Sequence, residues 1–189
     1  SSVGLSWNKP QLTMQVNVVG ALNILEAARR LDNTPKVMFI GSSEEYAPSD
    51  HPLKETDPLA ANNPYGISKL AQEQLVKSYM ERYGMKIYYA RPFNHAGPGQ
   101  RDSFVLPAFC KQAAQIEKSG EPGTIYVGNL SAKRDFGDVR DVVRAYALLA
   151  LKGKAGETYN VGSGNAQEIQ QVVDDTHDQH RRDTADYTD

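Results

Sequence analysis

Apolar positions along the chain follow a helical period in two stretches and form short continuous runs elsewhere. Residues 10–31 and 64–83 each begin at a proline and carry apolar side chains every three or four positions, which predicts two amphipathic helices. The run Val37-Met38-Phe39-Ile40 between them is short and sharply bounded, as is typical of a strand buried on both faces. This order of elements predicts an α/β fold built on a parallel sheet.

The remaining pattern continues the alternation. It predicts strands at 86–90, 124–127 and 158–161 and helices at 104–118 and 139–151. Such strands are joined by right-handed crossovers, and ligands bind outside their carboxyl ends. We therefore expect a partial Rossmann-like, doubly wound parallel sheet, with the N-terminal strands missing, together with a small substrate-binding region.

Three regions are predicted along the chain. Residues 1–100 are expected to form the C-terminal half of an NAD(P)-binding Rossmann-like domain. Residues 101–175 are expected to form the substrate-binding region with elements that return to the sheet. Residues 176–189 are almost wholly polar and cannot bury a core face, so we expect a frayed tail. The missing early strands predict that the sequence is a fragment.

Composition excludes several classes of function. The 189 residues are 40% hydrophobic, enough for one compact domain, and the net charge of -2 comes with scattered basic residues. Neither a nucleic-acid partner nor a membrane partner is expected. The single Cys110 rules out an internal disulfide and favours a cytoplasmic location. His177 and His180 lie in the polar tail without a third ligand nearby, so no metal site is expected.

The candidate chemistry centres on Tyr65 and Lys69. Residues four apart on a helix share a face, so the Lys69 ammonium is expected to lower the pKa of the Tyr65 phenol from its usual value of about 10. Ser42, just after the strand at 37–40, could hydrogen-bond the substrate oxygen that the tyrosine protonates or deprotonates. The same spacing also occurs by chance on surface helices, but the surrounding order of motifs argues against chance.

In this order the motifs Ser42-Ser43-Glu44-Glu45-Tyr46, Tyr65-Gly66-Ile67-Ser68-Lys69 and Arg91-Pro92-Phe93-Asn94 resemble the extended short-chain dehydrogenase/reductases, in the branch acting on GDP-mannose derivatives. The resemblance runs from Ser1 to about Asp174. It implies a catalytic triad of Ser42, Tyr65 and Lys69, with Asn17 supporting the lysine through water. The implied cofactor is NADP, with NAD possible, bound by Ser1, Tyr65, Lys69, Pro92 and His95.

Two longer stretches, residues 91–100 and 125–136, are most similar to the reductases of that branch. Those enzymes reduce the 4-keto group of a GDP-4-keto-6-deoxy-hexose to give GDP-D-rhamnose. The implied substrate-binding residues are Ser43, Asn94, Val105, Asn129 and Arg134. These residue types suit the task, because a guanidinium can clamp a diphosphate and amides can bind hydroxyls. Alternatively, Arg134 pairs with a neighbouring aspartate and Asn94 is a turn residue.

Two other functions stay open. Glu44 occupies the position of the general base in the GDP-mannose 4,6-dehydratases, although Ala96-Gly97-Pro98-Gly99-Gln100 replaces the Glu-Ser-Pro-Arg-Arg of those enzymes. A non-catalytic nucleotide-sugar-binding fragment is the other alternative, because no glycine-rich pyrophosphate loop opens the chain. Residues 161–167 imitate that loop only partly. We therefore expect the chain alone to bind NADP(H) poorly.

The resemblance also implies a homodimer. In the family, the helices that correspond to residues 10–31 and 64–83 pack against a partner subunit.

Overall fold

The computed structural model describes residues 2–175, which form two compact units. The first unit contains the chain up to Phe93 together with Arg140–Gly162, and the second contains Asn94–Val139 and the residues from Ser163 onward. The chain thus leaves the first unit and later returns to it. The predicted cofactor and substrate roles of residues 1–100 and 101–175 stay predictions. Ser1 and the predicted tail 176–189, with its two histidines, lie outside the described residues.

From residue 10 onward, the helices and strands of the first unit follow the predicted order. Residues 15–19 are π-helical, residues 43–45 form a 3₁₀ turn, and residues 169–175 are helical. The elements in chain order are α1 (Val3–Asn8), α2 (Pro10–Met14), α3 (Gly20–Arg29), β1 (Val37–Ile40), α4 (Pro64–Tyr83), β2 (Ile87–Pro92), β3 (Asn94–Ala96), α5 (Val105–Ser119), β4 (Lys133–Asp138), α6 (Val139–Lys152), β5 (Thr158–Val161) and β6 (Ala166–Glu168).

The sheet of the first unit has the order β1-β2-β5, with every pair parallel. All six residues of the central strand β2 are buried. Its side chains alternate between two layers. Ile87 and Tyr89 join Leu25 of α3 and Val76 of α4 in one cluster, and Ala90, the next residue along the strand, packs with α6 in another. The prediction of a partial doubly wound parallel sheet is therefore confirmed.

Helix α4 begins and ends where its sequence signals place it. The Asn63 side chain accepts a hydrogen bond from the Gly66 N–H at 2.9 Å, and Pro64 occupies the first turn, where its missing N–H costs nothing. Gly84 ends the helix in the left-handed conformation, at φ 64°. The predicted span of 64–83 is confirmed, and it fixes Tyr65 in the first turn.

The second unit contains a small sheet that the sequence did not predict. Strand β4 pairs in parallel with β3 and antiparallel with β6. Its sequence, Lys-Arg-Asp-Phe-Gly-Asp, has no alternation of apolar and polar residues. It becomes a strand because partners distant in sequence lie on both of its edges.

The predicted strand at 124–127 is wrong. These residues are irregular, and no strand pairs with them. The side chain of Gln112 takes the place of a neighbouring strand, because its Oε1 accepts from the Tyr126 N–H at 2.8 Å and its Nε2 donates to the Tyr126 carbonyl at 3.2 Å. Across residues 2–175, none of the helices combines the length and the apolar character needed to cross a bilayer.

Candidate active site

Ser42 begins a tight turn at the carboxyl end of β1. Its Oγ accepts a hydrogen bond from the Glu44 N–H at 3.2 Å, and its own N–H donates to Glu45 Oε1 at 2.7 Å. These reciprocal bonds form a capping box on the 3₁₀ turn. The turn thus holds Ser42 in a buried position at the edge of the sheet where α/β proteins bind ligands.

The structure brings Tyr65 to Ser42. The Ser42 hydroxyl lies within hydrogen-bonding reach of the Tyr65 phenol. That both groups act on one substrate oxygen stays a prediction. Burial raises the pKa of the Tyr65 phenol above its usual value. The Ser42 hydroxyl lowers this pKa, and the Glu44 carboxylate raises it. Tyr65 is therefore protonated at neutral pH and is ready to donate a proton.

Lys69 lies one turn further along α4, and its ammonium is directed into the protein. Its Nζ donates to the Ile40 carbonyl at 2.6 Å and to Gln72 Oε1 at 3.2 Å. Burial lowers the pKa of Lys69. The predicted lowering of the Tyr65 pKa by Lys69 is therefore wrong, because the helical spacing gives proximity but the burial of the phenol decides the direction.

Gly66, directly after Tyr65, is needed for close packing. A Cβ atom at Gly66 would overlap the carbonyl oxygen of Glu44. The first turn of α4 can therefore approach the 3₁₀ turn closely enough for Tyr65 to reach Ser42. Asn63, the N-cap residue, ties the same two segments together, because its Nδ2 donates to Glu44 Oε2 at 2.8 Å.

Asn17 lies in the π-helical segment, Gln15–Val19, and reaches α4 through a serine. Its Nδ2 donates to Ser68 Oγ at 2.8 Å, and that hydroxyl donates to the Tyr65 carbonyl at 2.6 Å. Single π-helical turns inside longer helices are frequent at functional sites. Sequence analysis identified Asn17 as a site residue but assigned no role to Ser68 and did not predict the π turn, because neither gives a periodic signal.

A cavity of about 250 Å³ in the second unit collects most of the predicted substrate-binding residues. Four of these five residues line it: Asn94, Val105, Asn129 and Arg134. His95, which was predicted to contact the cofactor, also lines this cavity. Ser43 lies instead in the 3₁₀ turn of the first unit, and Pro92 ends β2 there. The cavity is also lined by three aromatic side chains, Phe104, Phe109 and Phe136. Sequence analysis missed them, because apolar residues give the same sequence pattern whether they line a binding cavity or fill a core.

The polar groups around this cavity are ordered by local bonds. Asn129 Oδ1 accepts from the Ser131 N–H at 3.0 Å, and Arg134 Nη1 donates to the Lys133 carbonyl at 2.7 Å. Both oxygens of Asp135 accept from the turn at 163–164, the same turn that imitates a pyrophosphate loop. Among the described residues, no group of three or more His, Cys, Asp and Glu side chains could hold a metal ion.

Comparison with known proteins identifies the family of this chain. The sequence matches the GDP-mannose 4,6-dehydratase family over residues 1–188. The chain belongs to this family. The family resemblance drawn from the motifs is therefore confirmed.

Relatives of this chain in the comparison carry both activities in their names. A GDP-6-deoxy-D-mannose reductase from Pseudomonas aeruginosa is 37% identical, covering 89% of this chain and 57% of the relative. A GDP-mannose 4,6-dehydratase from Vibrio cholerae is 31% identical, covering 92% and 47%. The structure of RMD from Pseudomonas aeruginosa complexed with NADPH superimposes with a TM-score of 0.86 at 36% identity, covering 92% of this chain and 59% of that one. The chain spans about half the length of the curated relatives it matches.

Proposed function

We propose that the protein containing this chain reduces the 4-keto group of a GDP-4-keto-6-deoxy-hexose, forming GDP-D-rhamnose, with Tyr65 as the proton donor. The observation that carries the proposal is the half-buried Tyr65 phenol, which lies against Ser42 at the carboxyl end of β1 and whose pKa is raised by burial, so that it stays protonated at neutral pH. A reductase needs a proton donor at the ketone oxygen, whereas a lowered pKa would have suited a base. We further propose a cytoplasmic location, which the single cysteine favours.

The chemistry requires one hydride and one proton. A reduced nicotinamide, when bound, supplies the hydride to C4 of the sugar and is itself oxidised. Tyr65 gives its proton to the carbonyl oxygen as the C=O double bond becomes a C–OH single bond. Ser42 hydrogen-bonds the same oxygen and orients it toward the phenol.

The residues of the first unit suit a nicotinamide cofactor. The Lys69 ammonium has three N–H groups, and two of them donate to Ile40 and Gln72 within the described chain. The third can hold a ribose hydroxyl, the role that the family resemblance implies. We propose NADP(H), with NAD(H) as the alternative, since one solved relative is complexed with NADPH and others with NAD. Tyr65, Pro92, His95 and Ser1 complete the proposed contacts.

The cavity of the second unit is the proposed site of the nucleotide sugar. Its polar residues can hydrogen-bond hydroxyls, and the Arg134 guanidinium can bind a diphosphate. Its aromatic rings offer apolar contact to a sugar or a base. Ser43, next to Ser42 in the 3₁₀ turn, is the further proposed substrate contact.

One observation favours the dehydratase as the second candidate. Glu44 is only half-buried, and the Asn63 amide holds its carboxylate beside the Ser42–Tyr65 pair. A carboxylate fixed in this way could act as the general base that removes a sugar proton.

Replacing Glu44 by glutamine separates the two activities. In the full protein, the E44Q variant is expected to reduce a GDP-4-keto-6-deoxy-sugar with NADPH at nearly the wild-type rate, because reduction needs no base. A dehydratase would instead lose about 10²- to 10⁴-fold of its rate. Glu81→Gln, at an exposed position on α4, is the control. If GDP-mannose alone gives a 4-keto product without added NADPH, and E44Q does not, the reductase proposal is wrong.

We also propose a homodimer through the helices at 10–31 and 64–83. Large apolar side chains on these helices are exposed in the isolated chain. Leu12, Val16 and Val19 recur in a row at helical spacing, and Ile24 and Ile67 are exposed as well. Solvent-exposed apolar rows of this extent typically mark an interface.

A charge in this row is expected to break the dimer. Leu12→Glu should give a monomer in sedimentation velocity experiments on the full protein, because burying an unpaired carboxylate in an interface is costly. Leu148→Glu on α6 is a matched control, since both leucines are 47% exposed. A wild-type protein that is monomeric at all concentrations would contradict the proposal.

A further inference from the structure

Two carboxyl groups are buried together behind the Ser42 turn. Glu45 of the 3₁₀ turn and Glu73 of α4 are both 0% exposed, and Arg91 of β2 is 1% exposed. An arginine carries one positive charge, so it cannot neutralise two buried carboxylates. The half-exposed Lys77 contacts only Glu73, at 2.8 Å.

Glu73 has the partners of an ionised carboxylate. Arg91 Nη2 lies 2.8 Å from its Oε1 and 2.7 Å from its Oε2, and Arg91 Nε lies 3.1 Å from Oε2. The Thr158 hydroxyl also donates to Oε1, at 3.1 Å. Every oxygen of this side chain is therefore paired with a donor. Burial alone would raise the pKa of Glu73, but its contacts with Glu45, Arg91 and Lys77 hold that pKa below its ordinary value.

Glu45 has such partners on only one oxygen. Its Oε1 accepts from the Ser42 N–H at 2.7 Å and from the Tyr89 hydroxyl at 3.2 Å. Its Oε2 is buried and has no hydrogen-bond donor among residues 2–175, and Arg91 Nε lies 3.4 Å away, outside good geometry. A buried oxygen without a donor is costly for a carboxylate.

A proton on Glu45 Oε2 removes this cost. The oxygen then becomes a donor, and the carboxylate of Glu73 is positioned to accept from it. Burial, followed by the contact with Glu73, raises the pKa of Glu45 to about 8. Both the geometry and the electrostatics therefore describe a carboxylic acid hydrogen-bonded to a carboxylate.

We propose that Glu45 is a positioning residue that keeps a proton against Glu73 and, in this neutral form, fixes both Ser42 and Lys69. One carboxyl oxygen makes both connections. It accepts from the Ser42 N–H, and the Tyr89 hydroxyl that it contacts also lies 3.0 Å from the Lys69 carbonyl. The role in catalysis rests on the proposed function, whereas the proton on Glu45 does not.

The surroundings of Glu45 are closed. A Cβ atom at Gly41 would overlap both Glu45 Oε1 and the Tyr89 ring, so the glycine allows this packing. The titratable groups that face Glu45 come from three segments of the first unit: Tyr46 after the 3₁₀ turn, Tyr65, Lys69, Glu73 and Lys77 on α4, and Tyr89 and Arg91 on β2. Ionisation of Glu45 would add a second buried negative charge beside Glu73. The two lysine ammonium groups donate elsewhere, Lys69 to Ile40 and Gln72 and Lys77 to Glu73, so neither supplies a hydrogen bond to Glu45 Oε2.

The proton on Glu45 has a signature in stability against pH. A carboxyl whose pKa is raised on folding stabilises the fold below its unfolded pKa of about 4.5, and that contribution is lost as the pH rises to about 8. Glu45→Gln mimics the neutral acid, because its amide can accept from Ser42 and donate to Glu73. The thermal midpoint of the E45Q full-length protein should therefore exceed that of wild type by a margin that widens across this pH range.

The controls keep this test decisive. Glu81→Gln, exposed on the same α4, should show no widening margin. In wild type at neutral pH, infrared spectroscopy should show a protonated carboxyl band that E45Q lacks. A constant margin, an E45Q protein that fails to fold, or no such band in wild type would each overturn the proposal, because a neutral isostere must be tolerated where the native group is neutral.

The positioning role is measured separately. E45Q should retain the wild-type kcat for NADPH-dependent reduction, and Glu45→Ala, which loses the acceptor for Ser42, should lower kcat by about a hundredfold with little change in KM. Equal loss in both variants would overturn the positioning role. If wild type shows no reduction but the pH signature is present, the proposed function fails and the shared proton stands.

Discussion

Replacing Tyr65 by phenylalanine should abolish ketone reduction by the full protein while leaving its fold intact. The substitution removes one hydroxyl, the proposed proton donor, and keeps the aromatic ring in the first turn of α4. Loss of a positioned general acid typically lowers the rate by about 10²- to 10⁴-fold. Steady-state rates of NADPH oxidation with a 4-keto GDP-sugar, together with thermal unfolding, measure both quantities.

The control is a second tyrosine of α4. Tyr79 donates its hydroxyl hydrogen bond to Glu26 at 2.6 Å, so Tyr79→Phe also removes one hydroxyl and one hydrogen bond but lies away from Ser42. Its rate should match wild type. A Y65F protein with a comparable rate would refute the role of the phenol. In wild type, the raised pKa of Tyr65 predicts that the rate persists through neutral pH and falls only as the phenol ionises in alkali.

The largest loss of stability is expected from Arg91→Met. Arg91 is fully buried, forms a bidentate pair with Glu73 and lies over the ring of Tyr46, 4.8 Å from its centroid. Methionine fills much of the same volume but removes the charge. Because it leaves Glu73 ionised and buried with much weaker compensation, we expect the free energy of unfolding to fall by about 3–5 kcal/mol. Denaturant unfolding measures this difference.

A surface pair with the same geometry provides the control. Arg29 forms a bidentate pair with Glu26 and also lies over a tyrosine ring, that of Tyr83 at 5.1 Å, but both partners are partly exposed. Arg29→Met should therefore change the free energy of unfolding far less, because water solvates the carboxylate that remains. Equal losses of unfolding free energy in the two variants would contradict the prediction, because they would show that burial of the ion pair does not determine the loss of stability.

Local signals in the sequence were sufficient to predict much of the secondary structure of the first unit. The proline and asparagine before α4 and the glycine after it placed both ends of that helix. The short apolar run of β1 indicated a buried parallel strand because a strand covered on both faces cannot carry polar residues. The motif around Tyr65 and Lys69 led to the family, which the comparison confirmed.

The second unit contains elements that local signals in the sequence do not predict. Strand β4 is polar and pairs with segments far away in the chain, so no local period marks it. At residues 124–127 the local pattern predicted a strand, but Gln112 satisfies the backbone groups that a neighbouring strand would have bonded. Both outcomes depend on which groups meet across long sequence separations.

The sequence by itself determined the α/β fold class, the parallel sheet, the span of α4 and the candidate residues Ser42, Tyr65 and Lys69. Only the tertiary structure decided the direction in which the pKa values are shifted. Burial raises the pKa of Tyr65 more than the Ser42 hydroxyl lowers it, and the proposed pairing of Glu45 with Glu73 depends on contacts between a turn and a helix. Residue spacing specifies which side chains can be near one another, whereas the loss of solvation that sets a pKa depends on every segment packed around the group.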